Sequence, residues 1–94
     1  PEAWHVAGLV SSMREDCGTC VQIHVNLAVQ DGMKRDWLDA VLRRAPEELP
    51  PHLHDVYRFA ESILDGDPAQ MELREDLRKL YGDEGLVELS FAIS

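Results

Sequence analysis

The residues able to do chemistry gather in one stretch, Arg14 to Ala28, REDCGTCVQIHVNLA. It holds both cysteines of the chain, Cys17 and Cys20, and His24 four positions after the second. A thiol pair with an imidazole at this spacing could serve a metal site, a structural disulfide or a thiol redox centre. By the chain-entropy relation a bridge closing about four residues contributes roughly 2 kcal/mol at most. Two cysteines in 94 residues are also too few for a disulfide scaffold. Four-coordinate zinc needs a fourth ligand, and His52 or His54 of PHLH would have to fold over from a distant connector. The redox reading needs only the three residues already in the stretch.

The positioning element is a helix expected from Thr19 to Gln30, with Cys20, Ile23, His24, Leu27 and Ala28 at spacings of three and four. Cys17 then falls at its N-cap and Cys20 in its first turn. Unpaired N–H groups and the positive end of the dipole favour a thiolate there. In Cys-x-x-Cys motifs this lowers a thiol from about 8.5 to about 3.5–7.5. His24, one turn after Cys20, lies on the same face and can accept the thiol proton and later return it. Cys17, two turns before His24, is placed to attack an oxidised Cys20.

The other elements read as helices too. Trp4, Val6, Ala7, Leu9, Val10 and Met13 suggest a helix from Ala3 to Met13, with Gly8 weakening the pattern. A short helix at Arg35 to Arg44 would turn Trp37, Leu38, Val41 and Leu42 inward, and APEELPP is a proline-rich connector. Leu53, Val56, Tyr57, Ala60, Ile63 and Leu64 form the cleanest stripe, ended by DGDP. Leu73, Leu77 and Leu80 mark a helix ending at Tyr81 and Gly82, and a last one begins near Asp83. Its preceding run MELREDLRKL reads as a solvated face with charge pairs such as Glu75 with Lys79.

No segment alternates with period two between hairpin turns, so the expected domain is all-α: one unit over residues 1–94, of about six helices. The second and last helices carry apolar residues on more than one face. Such helices need a second wall, which favours oligomerisation. The absence of an initial methionine and of a stop signal after LVELSFAIS suggests a fragment of a longer chain.

Nine basic against eighteen acidic side chains give a net charge of −9. A surface of that sign repels phosphates, which argues against nucleic acid and anionic membranes as partners. Apolar runs are only a few residues long, far below the roughly 20 needed to span a bilayer. A soluble cytoplasmic protein is the resulting expectation.

The segment EDCGTCVQIHVNLA, with Cys-x-x-Cys-x-x-x-His at a helix start in an all-α domain, resembles the alkylhydroperoxidase AhpD and carboxymuconolactone decarboxylase family. DVYRFAESIL and LRKLYGDEGLVELSFAIS are similar to that family's following helices, so the resemblance covers most of the chain. It implies an AhpD-like helical bundle assembled as a trimer or hexamer, acting on hydroperoxides or disulfides without a cofactor or metal and reduced by a dithiol protein or small thiol. By position it makes Cys20 peroxidatic, Cys17 resolving and His24 the proton relay. His5 stands where the family has a relay glutamate, and Thr19 where a histidine is often found between the cysteines. His5, Glu15 or Glu2 could supply the missing support for His24. Decarboxylase members do not rely on a cysteine pair, so Cys17 and Cys20 point to the thiol branch. A lactone or keto-acid decarboxylase and a non-catalytic assembly domain are the alternatives on the same scaffold.

Overall fold

The computed structural model describes residues 2–93, and among these there are five α-helices, one 3₁₀ turn and no strand. The elements run α1 (Glu2–Arg14), α2 (Gly18–Gln30), α3 (Arg35–Leu42), the 3₁₀ turn (Pro46–Glu48), α4 (Pro51–Asp65) and α5 (Gln70–Ile93). The all-α expectation holds.

α1 is the axis of the bundle. Every residue from His5 to Ser12 is buried, the signature of a helix enclosed on all sides rather than a surface helix with one apolar stripe. It is walled by α2 on one flank and by α4 and α5 on the others, with α3 touching its edge. From α4 come Leu53, Val56, Tyr57, Phe59 and Ala60, and from α5 Leu73, Leu77, Leu89 and Ile93. A buried hydrogen bond from Ser11 Oγ to the Ile93 carbonyl, 2.9 Å, ties the end of α5 to α1.

Local chemistry sets the boundaries. Asp16 takes a left-handed φ of 54° after α1, and Gly32 (φ 82°) and Gly66 (φ 67°) follow α2 and α4, the conformation that turns a chain out of a helix at little cost in glycine. Pro51 opens α4 at a position where its missing N–H is no loss. At Gly82, where the sequence pattern breaks, the backbone within α5 leaves the helical conformation, with φ 76° and ψ 176°. The expected end of one helix at Tyr81 and Gly82 and start of another near Asp83 are therefore present within this span, as two helical arms on either side of a non-helical residue.

Three packing details differ from the sequence reading. Leu42 and Leu80 are exposed, Leu42 because α3 ends there. Glu75 pairs with Arg78, at 2.9 Å, and not with Lys79. Ile23 and Leu27, on the expected stripe of α2, face solvent, while Ala28 is buried against α1.

Candidate functional site

Cys17 is the N-cap of α2, in extended conformation with φ −104° and ψ 97°. Its Sγ accepts a hydrogen bond from the Cys20 backbone N–H at 3.2 Å, as a serine or aspartate oxygen would at this position. The two cysteines are joined as a disulfide, their Cα atoms 5.3 Å apart. Both are half-buried. On reduction, the amide that now points at Cys17 and the other free N–H groups of the first turn stabilise negative charge on sulfur.

His24, one turn further, brings the Cε1–Nδ1 edge of its ring against α1 at Gly8. A Cβ built on Gly8 would lie 2.6 Å from His24 Cε1 and 2.9 Å from Nδ1, so the imidazole occupies the space a side chain would fill. That close approach is the use of a glycine inside the most buried helix of the bundle. The indole of Trp4 also lies against the ring, tilted by 41° with centroids 5.9 Å apart. Burial, and secondarily the neighbouring His5, push the His24 pKa below its ordinary 6.5. His24 is therefore neutral near pH 7 and able to take a proton.

His5 is only 2% exposed. Its Nε2 lies 2.7 Å from Oδ2 of Asp31, the C-cap residue of α2, and its ring meets Trp4 edge-on at 5.3 Å. The Asp31 side chain is 64% exposed, so the carboxylate links a buried imidazole to bulk water. In the neutral ring, Nε2–H donates to Asp31 and Nδ1 is left as an acceptor. Nδ1 of His5 and Nδ1 of His24 are both buried without a hydrogen-bond partner, and orphaned polar atoms of this kind need a functional explanation.

All four residues named from the sequence, Cys17, Cys20, His24 and His5, thus come from the facing helices α1 and α2. Asp31 and Gly8 were missed. Asp31 sits seven residues, two turns, beyond His24, a spacing that is visible in sequence. Its partnership with His5 is not, because it depends on how α1 crosses α2. Glu2 and Glu15 are exposed, and the carboxylate beside the histidines is Asp31. Among the described residues no three His, Cys, Asp or Glu side chains cluster as a metal site, and no helix is long and apolar enough to cross a membrane.

Trp4 has a second role as a wall of a cleft of about 300 Å³ between the start of α1, the start of α4 and the kinked arm of α5, also lined by Ala3, His52, Leu53, Tyr81 and Leu89. The same indole touches both imidazoles and lines this recess. Comparison with known proteins returned no matching family model, no matching curated protein and no matching solved structure.

Proposed function

We propose that this chain is a thiol-disulfide oxidoreductase of the AhpD-like kind, reducing hydroperoxides or exchanging disulfides through Cys17 and Cys20. The observation that carries the reading is the Cys17–Cys20 disulfide at the N-terminus of α2 with a neutral, half-buried imidazole one turn away on the same helix.

In the reduced protein, His24 takes the Cys20 thiol proton. The thiolate attacks the terminal oxygen of a hydroperoxide ROOH, the O–O bond breaks, and the departing alkoxide receives the proton from His24 to leave as ROH. Cys20 is then a sulfenic acid. The Cys17 thiol gives up its proton, its sulfur displaces the hydroxyl from Cys20, water leaves, and the disulfide forms. An external dithiol, protein or small molecule, restores the two thiols by exchange and is itself oxidised to a disulfide.

Where the family has a relay glutamate, this chain has the pair His5–Asp31. Asp31 holds the His5 ring by a hydrogen bond at Nε2, and its exposed carboxylate connects that buried imidazole to water.

A pH titration of thiolate absorbance in the reduced protein tests the reading. Cys20 is expected to ionise within the about 3.5–7.5 range of activated Cys-x-x-Cys thiols, and Cys20→Ser to remove that transition. Two thiols titrating together near about 8.5 would mean an unactivated pair and a non-catalytic domain.

A further inference from the structure

The cleft between the starts of α1 and α4 and the C-terminal arm of α5 has a chemistry that the thiol site does not use. Its walls include the Trp4 indole, the Tyr81 ring and the buried Leu53. Two exposed carboxylates, Glu2 and Glu88, line it together with the imidazole of His52, and no Lys or Arg is among the described residues there. The Tyr81 hydroxyl is buried and has no hydrogen-bond partner among the described residues. Buried polar atoms are nearly always paired, so this oxygen calls for a partner from outside the chain. Gly85 leaves room for the Tyr81 side chain: a Cβ built there would lie 2.7 Å from Tyr81 Cβ.

We propose that this cleft binds a small organic amine in its protonated form, the apolar body lying against Trp4, Tyr81 and Leu53 and the ammonium facing the Tyr81 oxygen and the carboxylates of Glu2 and Glu88. Each wall selects one part of that ligand. An alkylammonium has three N–H donors and no acceptor, which suits a set of oxygens. Burial, and then Glu2 and Asp55, raise the Tyr81 pKa, so near neutral pH its oxygen is a neutral hydroxyl able to accept one of those bonds. A cation beside the faces of an indole and a phenol is also attracted by the rings themselves. Anions are repelled by Glu2 and Glu88 within a protein of net charge −9, and an uncharged ligand gains nothing from the two carboxylates.

Size narrows the class further. At about 300 Å³ the cleft is at the small end of ligand pockets, enough for one compact molecule with a single ring or a short alkyl chain. Trp4 touches both imidazoles as well as lining the cleft, yet amine binding requires no reaction at Cys17 or Cys20 and stands apart from the redox reading.

Isothermal titration of the oxidised full chain at physiological ionic strength is the test, with phenethylammonium, phenethyl alcohol and phenylacetate as probes that share a ring and differ in charge. The amine is expected to bind with a Kd below about 1 mM, the alcohol about tenfold more weakly and the acid without measurable heat. Ethylammonium, which has the charge without the ring, should bind no better than the alcohol. Replacing both carboxylates, Glu2→Gln with Glu88→Gln, should weaken the amine about fivefold and leave the alcohol unchanged. Tyr81→Phe, which removes only the orphaned hydroxyl, should melt no lower than wild type and bind the amine about threefold more weakly. Glu72→Gln, on α5 outside the cleft, should bind as wild type. No saturable binding of the amine, phenylacetate or ethylammonium binding as tightly, or full affinity in Tyr81→Phe or in the double Gln variant would each overturn the proposal. None of these readouts involves thiol reactivity, so failure here is separable from failure of the redox reading.

Discussion

At the scale of single residues, the site is a series of short-range dependencies: Cys17 caps the helix that holds Cys20, Cys20 precedes His24 by one turn, and Asp31 anchors His5. Spacing alone revealed the first two, because i+3 and i+4 relations survive in any helix. Asp31 was not legible, since its contact with His5 spans 26 positions and two helices. Its role yields a specific expectation. Asp31→Asn keeps a hydrogen-bond acceptor near His5 but removes the charge, so the second-order rate of Cys20 oxidation by a hydroperoxide should fall by about tenfold, a small part of the about 10²–10⁴ attributed to general acid–base groups. The pH profile of that rate should shift as well, whereas a purely structural Asp31 would change the melting temperature and leave the profile in place.

At the scale of elements, the contact between α1 and α2 decides the geometry, and its key is Gly8. Read from sequence, a glycine inside a helix only weakens the helix; in the folded chain it is the surface that the edge of the His24 ring meets. Gly8→Ala separates the two effects. Alanine gains about 1 kcal/mol of helix propensity over glycine, and the atoms it meets belong to the end of a side chain that can swing away. Thermal stability should therefore change little, while reactivity of reduced Cys20 drops because His24 is displaced. A variant destabilised by several kcal/mol with normal reactivity would contradict this. The helices themselves were legible because caps and breakers such as Cys17, Gly32, Pro51 and Gly66 act locally. The break at Gly82 was legible for the same reason, a positive φ that glycine takes at little cost, and Leu89 and Ile93 return the second arm to the core. Ile23 and Leu27 share the apolar stripe of α2 in the sequence yet face solvent in the folded chain, because apolar periodicity marks what a helix can bury and not which neighbour covers it.

At the scale of the whole molecule, an acidic surface surrounds a small core with two buried or half-buried imidazoles. The lowered pKa of His24 has a definite sign in stability. The folded protein keeps His24 neutral, so below its ordinary value of 6.5 the unfolded chain binds more protons and stability falls with pH. The loss should begin as pH drops through about 6.5 and level off once folded His24 also protonates. The exposed pairs Arg14–Asp65 and Arg43–Glu48 hold their carboxyls below the ordinary range through hydrogen bonding to the guanidinium, so their contribution is lost at lower pH. Thermal melts between pH 7.5 and 5 should show the decline in wild type and a flatter curve in His24→Gln.

The central claim is that Cys20 is the attacking thiol and Cys17 the resolving one. Reduced Cys17→Ser, mixed in a stopped-flow instrument with one equivalent of an organic hydroperoxide and quenched with a sulfenic-acid trap, measures it directly by mass spectrometry. The expected products are a trapped sulfenic acid on Cys20 in that variant, a Cys17–Cys20 disulfide in wild type, and no reaction beyond background in Cys20→Ser. A Cys20→Ser protein that reacts as fast as wild type, or a wild type that consumes peroxide without closing the disulfide, would contradict it.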